Sequence, residues 1–299
     1  MDYIRNLAEL EYFWIGVGVL GAALLIIVLI VAILIVKKRA KRMKNVYGIT
    51  VANIQVIGSR DYQQDSFGVT NVSDTAKGVL AVVADGMGGT VSGGEISKIV
   101  TSHMLQAFQA SAPGPDPSVF LLRMTNEAQS LARSFIVEQL GNEVSGSTLV
   151  AAAVLNGGLY FVSVGDSRVC LLRNGALIQL NREHTCASQL DERAARGEIS
   201  FEEARNDPQR NALTSYIGVD GPLQIDNNQQ PINLIKNDRI LLMSDGVFGT
   251  LDEGTLTKAA MMENVFEAGA AIEYAVKAVG KPHQDNYTAI LLNYQEEGL

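Results

Sequence analysis

Apolar residues follow three rhythms along this chain, and each predicts a different kind of element. Positions 13–36 hold 24 residues without a charge, among them the run Leu24-Leu25-Ile26-Ile27-Val28-Leu29-Ile30-Val31. A helix of that length rises about 36 Å, enough to cross a hydrocarbon core of about 30 Å. Gly16, Gly18 and Gly21 suit a membrane helix better than a soluble one, and Tyr12 and Trp14 fall where an interfacial aromatic belt belongs. A cleaved signal peptide fits less well, because the preceding residues are acidic, the run is too long and no A-x-A site follows.

The second rhythm is a series of short β-branched runs bounded by Gly, Asn or Asp, at 49–57, 78–84, 147–155, 159–164, 168–172, 239–243 and 286–292. These predict strands. Asn156-Gly157-Gly158 and Arg173-Asn174-Gly175 mark hairpin turns, where glycine supplies positive φ without steric cost. The third rhythm has 3,4 spacing: within 94–109, Ile96, Ile99, Val100, His103, Met104, Ala107 and Phe108 share one helix face. Further helices are expected at 118–140, after the breaker Pro113-Gly114-Pro115-Asp116-Pro117, and near 266–279. Hairpins grouped with separate helices, rather than strict βαβ alternation, indicate an α+β class with sheets at the centre. The polar, highly charged stretch 191–210 reads as a helical surface insertion.

Composition narrows the class. With 47% hydrophobic residues and no glycine period, the chain is neither disordered nor collagen-like. Its net charge of −8 argues against nucleic acid as a partner. That charge is unevenly spread: residues 1–44 carry seven Lys or Arg against three acids, a net +4, leaving −12 on the remainder. Six of those bases lie within 37–44, directly after the apolar span, so the positive-inside rule puts the N-terminus outside and all that follows Lys37 in the cytoplasm. The same collar should adhere to anionic headgroups. Cys170 and Cys186 stand alone, without CxxC or histidine at metal spacing, and read as ordinary thiols of a reducing compartment.

Four aspartates end or adjoin apolar runs beside Gly, Asn or Gln: Asp65 in Gln63-Gln64-Asp65, Asp85 in Ala84-Asp85-Gly86, Asp245 in Ser244-Asp245-Gly246 and Asp285 in Gln284-Asp285-Asn286. A single Asp-Gly more often makes only a turn. The runs beside Asp85, Asp245 and Asp285 should be buried strands, and carboxylates at their ends are costly unless paired or bound to cations. No Lys or Arg adjoins Asp85, Asp245 or Asp285, and no His or Cys joins them as a ligand. Convergent carboxylates of that kind select hard cations, Mg²⁺ or Mn²⁺, rather than zinc.

The series Gly58-x-Arg60-x-x-Gln63-Gln64-Asp65, Val83-Ala84-Asp85-Gly86-Met87-Gly88-Gly89, Ser145-Gly146-Ser147-Thr148, Val164-Gly165-Asp166-Ser167-Arg168, Glu183-His184-Thr185, Ser244-Asp245-Gly246 and Asp285-Asn286 resembles the metal-dependent (type 2C, PPM) serine/threonine protein phosphatases, bacterial branch. It covers nearly all of residues 48–293 in the family's order. The resemblance implies an α+β fold, a central β-sandwich of two antiparallel sheets flanked by helices. It also implies two Mn²⁺ or Mg²⁺ ions, with a third possible. Asp85 would bridge both metals, the Gly86 carbonyl would bind the second, Asp245 and Asp285 would hold the first, and Asp65 would approach the second directly or through water. Arg60 would grip the substrate phosphate. Partners would be phosphorylated proteins, substrates of a serine/threonine kinase, besides the membrane.

Under that reading the chain divides into an extracytoplasmic tail (1–12), a transmembrane helix (13–36), a basic juxtamembrane linker (37–47) and a phosphatase-type domain (48–295) with a helical flap at about 187–212. Three features depart from the family. The acid ahead of Ser145 is Glu143 rather than aspartate, so its part in a third metal site is open; Ser215-Tyr216-Ile217-Gly218 lacks an arginine; and Gln63 replaces asparagine. His184 and His103 are expected to be structural, His283 is a weaker general-acid candidate, and Asp166 and Arg168 are expected to pair around a hairpin. The rival reading is an inactive pseudophosphatase acting as a membrane-tethered interaction module.

Overall fold

The computed structural model describes residues 48–72, 78–89, 92–111, 113–141 and 143–295. The expected transmembrane helix and basic linker lie outside these residues; within them, no helix is long and apolar enough to cross a membrane. Residues from Val46 onward form a compact unit of their own.

Two antiparallel sheets make its centre. The first has the order β1 (Ile49–Val56), β12 (Tyr287–Tyr294), β11 (Arg239–Met243), β7 (Arg168–Arg173), β8 (Ala176–Gln179). The second runs β10 (Ile232–Asn233), β6 (Gly158–Val164), β5 (Leu149–Leu155), β3 (Val79–Met87), β2 (Asp65–Val69), with β4 (Gly146–Ser147) on β3 and β9 (Asp226–Asn227) on β6. Helices α1 (Ser92–Ala110) and α2 (Pro117–Gln139) cover the second sheet; α5 (Asp245–Phe248), α6 (Glu253–Ala260) and α7 (Val265–Val279) cover the first.

This layering explains why the strands read as unbroken apolar runs. Side chains alternate faces along a strand, and here both faces are buried. In β3, Val79, Ala81 and Val83 enter the core between the sheets while Leu80, Val82 and Ala84 meet α1 and α2. In β11, Ile240 and Leu242 face the other sheet while Leu241 and Met243 meet α6 and α7. A register slip of one residue would exchange these two apolar sets and move every acid at the strand ends to the wrong face.

The helices begin where the sequence indicates. The Asp116 carboxylate accepts from the Val119 amide, with Pro117 in the first turn, and the Asn264 side chain caps α7 through the Phe266 amide. Several elements differ from expectation. Strand β3 extends through Asp85 to Met87, so that aspartate lies within a strand rather than after it. The run 147–155 is interrupted at Thr148, which separates β4 from β5. Strand β2 is an edge strand whose sequence Asp-Ser-Phe-Gly-Val has no apolar run to betray it. The insertion after β8 is helical as expected, with α3 (Cys186–Ala195) and α4 (Phe201–Asn206) closing over a small cluster of Leu190, Ala194 and Ala204. Its two ends meet at a bridge between Thr185 and Leu213.

Among the described residues, which begin at Gly48, three large apolar clusters fill the space between and around the two sheets. A fragment starting at Asn45 is therefore expected to fold alone, with one cooperative thermal transition by circular dichroism. A broad, non-cooperative melt would show that residues 1–44 are needed for its core.

Candidate active site

One end of the sandwich collects all four aspartates singled out in the sequence. Asp65 opens β2 directly opposite Asp85 on β3, a facing position at which like charges oppose strand pairing. From the other sheet, Asp245 starts α5 immediately after β11, and Asp285 precedes β12 by two residues. With Arg60, from the loop joining β1 to β2, Asp85, Asp245 and Asp285 line a cleft of about 270 Å³. Asp65 is buried behind it.

The backbone around these acids is pinned. The Asp85 amide donates to Thr148 Oγ1 at 2.9 Å, while its carbonyl accepts from Ser147 Oγ at 3.0 Å and from the Thr148 amide at 2.8 Å. This is the work of the Ser-Gly-Ser-Thr element. Gly86 must be glycine, since a Cβ there would lie 2.2 Å from the Gly93 carbonyl oxygen; one on Gly246 would lie 2.0 Å from that of Asn286. Ser244 Oγ donates to Asp65 Oδ2 at 2.8 Å and accepts from the Thr288 amide at 3.0 Å. Asn286 latches the Arg60 loop to β12. Its Nδ2 donates to the carbonyls of Ile57 and Tyr62, and its Oδ1 accepts from the Gln64 amide.

The electrostatics are those of an anion cluster short of positive charge. Burial first, then the neighbouring carboxylates Asp65 and Asp245, raise the Asp85 pKa well above the ordinary range. Burial pushes Asp65 up to about 6, and burial with the Asp285 charge raises Asp245. One oxygen of Asp65 and one of Asp245 are buried with no hydrogen-bond partner. The cation at hand is Arg60, whose Nη2 lies 2.7 Å from Asp285 Oδ2 in a solvent-exposed pair. Among the described residues no three Asp, Glu, His or Cys side chains form a closed cation cage; the acids line a shared cleft instead. All-oxygen donors, raised pKa values and orphaned buried oxygens fit hard divalent cations.

Other expected residues separate. Glu143 is exposed on the loop after α2 and does not line the cleft. The anticipated Asp166–Arg168 pair is corrected by the structure. Arg168 pairs with Glu183 at 2.6 Å and stacks 3.8 Å from the Phe248 ring centre. Asp166 instead lines the cleft, where burial and then the Asp245 charge raise its pKa to about 7. Its position after Val164-Gly165, another apolar run ending in Gly-Asp, was the available signal. His184 is structural as expected, its Nδ1 accepting from the Gly165 amide at 3.0 Å. His103 lies half-buried between α1 and α2, 3.2 Å from Glu127, and His283 is exposed outside the lining.

A chain with this sandwich and acid-lined cleft has relatives of known class. The family description protein phosphatase 2C matches residues 56–278, and the chain belongs to that family. It is 28% identical over 244 residues to the serine/threonine phosphatase stp of Listeria innocua, a match spanning 80% of this chain and 94% of that one. The structure of the PPM Ser-Thr phosphatase MsPP from Mycobacterium smegmatis, in complex with cacodylate, is 30% identical with a TM-score of 0.65, over 81% of this chain and 97% of that one. The catalytic domain of the phosphatase PstP, in complex with two manganese ions, is 26% identical with a TM-score of 0.66, over 82% and 98%. The chain is a serine/threonine protein phosphatase, with the α+β fold expected of it.

The raised carboxylate pKa values carry a sign. Between the ordinary aspartate value near 4 and the raised values, the folded metal-free protein binds more protons than the unfolded chain, so its stability falls as pH rises through that window. Asp85→Asn removes one of the repelling charges. In EDTA at pH 7.5 it is expected to melt about 2–4 °C above the wild type, the effect of ~1 kcal/mol in a domain of this size, and to lose that advantage near pH 4.5. A variant that melts lower at pH 7.5 would refute the repulsion.

Proposed function

We propose that this phosphatase is anchored in the membrane through residues 13–36 and, in the cytoplasm, hydrolyses phosphoserine and phosphothreonine of proteins by direct attack of water. The observation that carries the chemistry is the convergence of Asp85, Asp245 and Asp285 with one arginine at a single cleft, with Asp65 buried behind it. Asp85, Asp245 and Asp285 with the Gly86 carbonyl would hold divalent cations in the cleft, and Asp65 would support them from behind. When bound, a pair of such ions polarises phosphoryl oxygens and makes water nucleophilic near neutral pH.

The protein's own groups do the rest. Arg60 presents a planar fork of donors to the phosphate dianion, a geometry lysine does not offer. Thr148 and Ser147 hold Asp85 by its backbone and leave its carboxylate free for the cleft. No thiol competes as nucleophile there: neither cysteine lines the cleft, and burial pushes the Cys170 thiol up to about 12. Nothing favours an inactive module, since every acid of the set and Arg60 are present. For the anchor, support comes from the uncharged span and the basic run 37–44 after it. The substrates are then phosphoproteins of the cytoplasmic side, made by a serine/threonine kinase.

Arg60→Ala is expected to leave Mn²⁺ affinity nearly unchanged while weakening inhibition by inorganic phosphate. Losing a charged hydrogen bond costs roughly 1.5–3 kcal/mol, or about 10- to 150-fold in kcat/KM. Equal phosphate inhibition constants in both proteins would leave Arg60 only a structural partner of Asp285. Asp245→Asn should abolish turnover of p-nitrophenyl phosphate at saturating Mn²⁺; retained activity would remove it from the ligand set. Protease added outside intact cells should leave residues 45–299 uncut, and digestion there would reverse the topology.

A further inference from the structure

Helix α7 buries Val265, Ala268, Ile272 and Val276 against the first sheet and α6. Its opposite face is unusually apolar for one open to solvent. Phe266 is 63% and Tyr274 76% exposed, alternating with exposed Ala270 and Ala278 at intervals of four residues. Glu267 and Lys277 complete the face. A solvent-facing stripe is normally charged or polar, and exposed aromatic residues are enriched at contacts with other proteins.

We propose that this face is a homodimer contact, in which α7 lies antiparallel on α7 of a second copy about a two-fold axis. A two-fold contact must be self-complementary, and the stripe meets that demand in one register. With the axis level with Ile272, Phe266 opposes Ala278 and Ala270 opposes Tyr274, so each aromatic ring meets a methyl-sized side chain. In the same register Glu267 opposes Lys277. A parallel pairing would instead set ring on ring and like charge on like charge. Glu267 has no ion-pair partner among the described residues, and Lys277, paired with Glu273 of its own helix, keeps 59% of its side chain exposed for a second carboxylate. A contact along a helix of about 22 Å is smaller than a standard interface. It is weak in free solution and suited to copies that share a membrane surface.

None of Phe266, Glu267, Ala270, Tyr274, Lys277 and Ala278 lines the catalytic cleft, so association and turnover can be read separately. Residues 46–299 serve for the test, since they contain the whole compact unit. Sedimentation velocity from about 10 μM to about 1 mM, the range of a weak interface, is expected to show a monomer passing to a dimer. Tyr274→Glu, Glu267→Lys and Lys277→Glu should each weaken association about tenfold or more, and the double variant Glu267→Lys/Lys277→Glu should recover to within about threefold of the wild type. Hydrolysis of p-nitrophenyl phosphate should be unchanged in all of them. A wild type that stays monomeric throughout overturns the proposal, as does association indifferent to Tyr274→Glu. A double variant no tighter than the single ones rejects the antiparallel register. A monomer that floats with vesicles of anionic lipid in a Tyr274-dependent way assigns the face to lipid instead.

Discussion

Repulsion among carboxylates that the strands cannot keep apart is the constraint to which the rest of this domain answers. Asp65 and Asp85 oppose each other in an antiparallel ladder, and Asp245 and Asp285 reach the same end from the second sheet. In water such acids would separate; here two apolar faces on every central strand fix the register, so they cannot. Burial magnifies the cost, which is visible in the raised pKa values of Asp65, Asp85 and Asp245. The apolar core thus holds a destabilised anion cluster at its edge, one that bound cations would relieve.

The opposing charge is rationed. Arg60 comes from a loop rather than a strand, yet Asn286 holds that loop by three hydrogen bonds. The residue that precedes Asn286 is Asp285, the carboxylate with which Arg60 is paired. An amide side chain therefore sets the separation between the cation-attracting and anion-attracting halves of the cleft. Neutral hydrogen bonds serve this purpose better than a second ion pair, which would cancel the negative field of the cleft.

Much of this architecture was legible in the sequence, for a reason that also explains the gaps. Elements buried on both faces must be uniformly apolar, and the runs now seen as β3, β5, β6, β7, β11 and β12 announced themselves accordingly. Asp85, Asp245 and Asp285 were legible because each ends or adjoins such a run without a basic neighbour, whereas Asp65 rested on the Gln63-Gln64-Asp65 motif. Strand β2 escaped notice because its polar edge position leaves only Phe67 and Val69 as apolar signal. Helices α5 and α6 are too short for a 3.6-residue period to accumulate. Asp166 was misassigned because Arg168, two residues away, offered a local partner, whereas the folded chain gives that arginine to Glu183 and the ring of Phe248. Sequence proximity is a poor guide to pairing where a strand begins.

The flap between Thr185 and Leu213 is built on different terms from the rest. It has a miniature core of Leu190, Ala194 and Ala204, its own capping box at Ser200 and Glu203, and an internal clasp between Arg210 and Asp191. Its small cluster is separate from those of the two sheets, and its two ends meet at the Thr185–Leu213 bridge, where Leu213 also lines the cleft. In mechanical terms it is a cassette. Its outer surface could change in length or sequence without disturbing the packing that holds the carboxylates and the arginine in place.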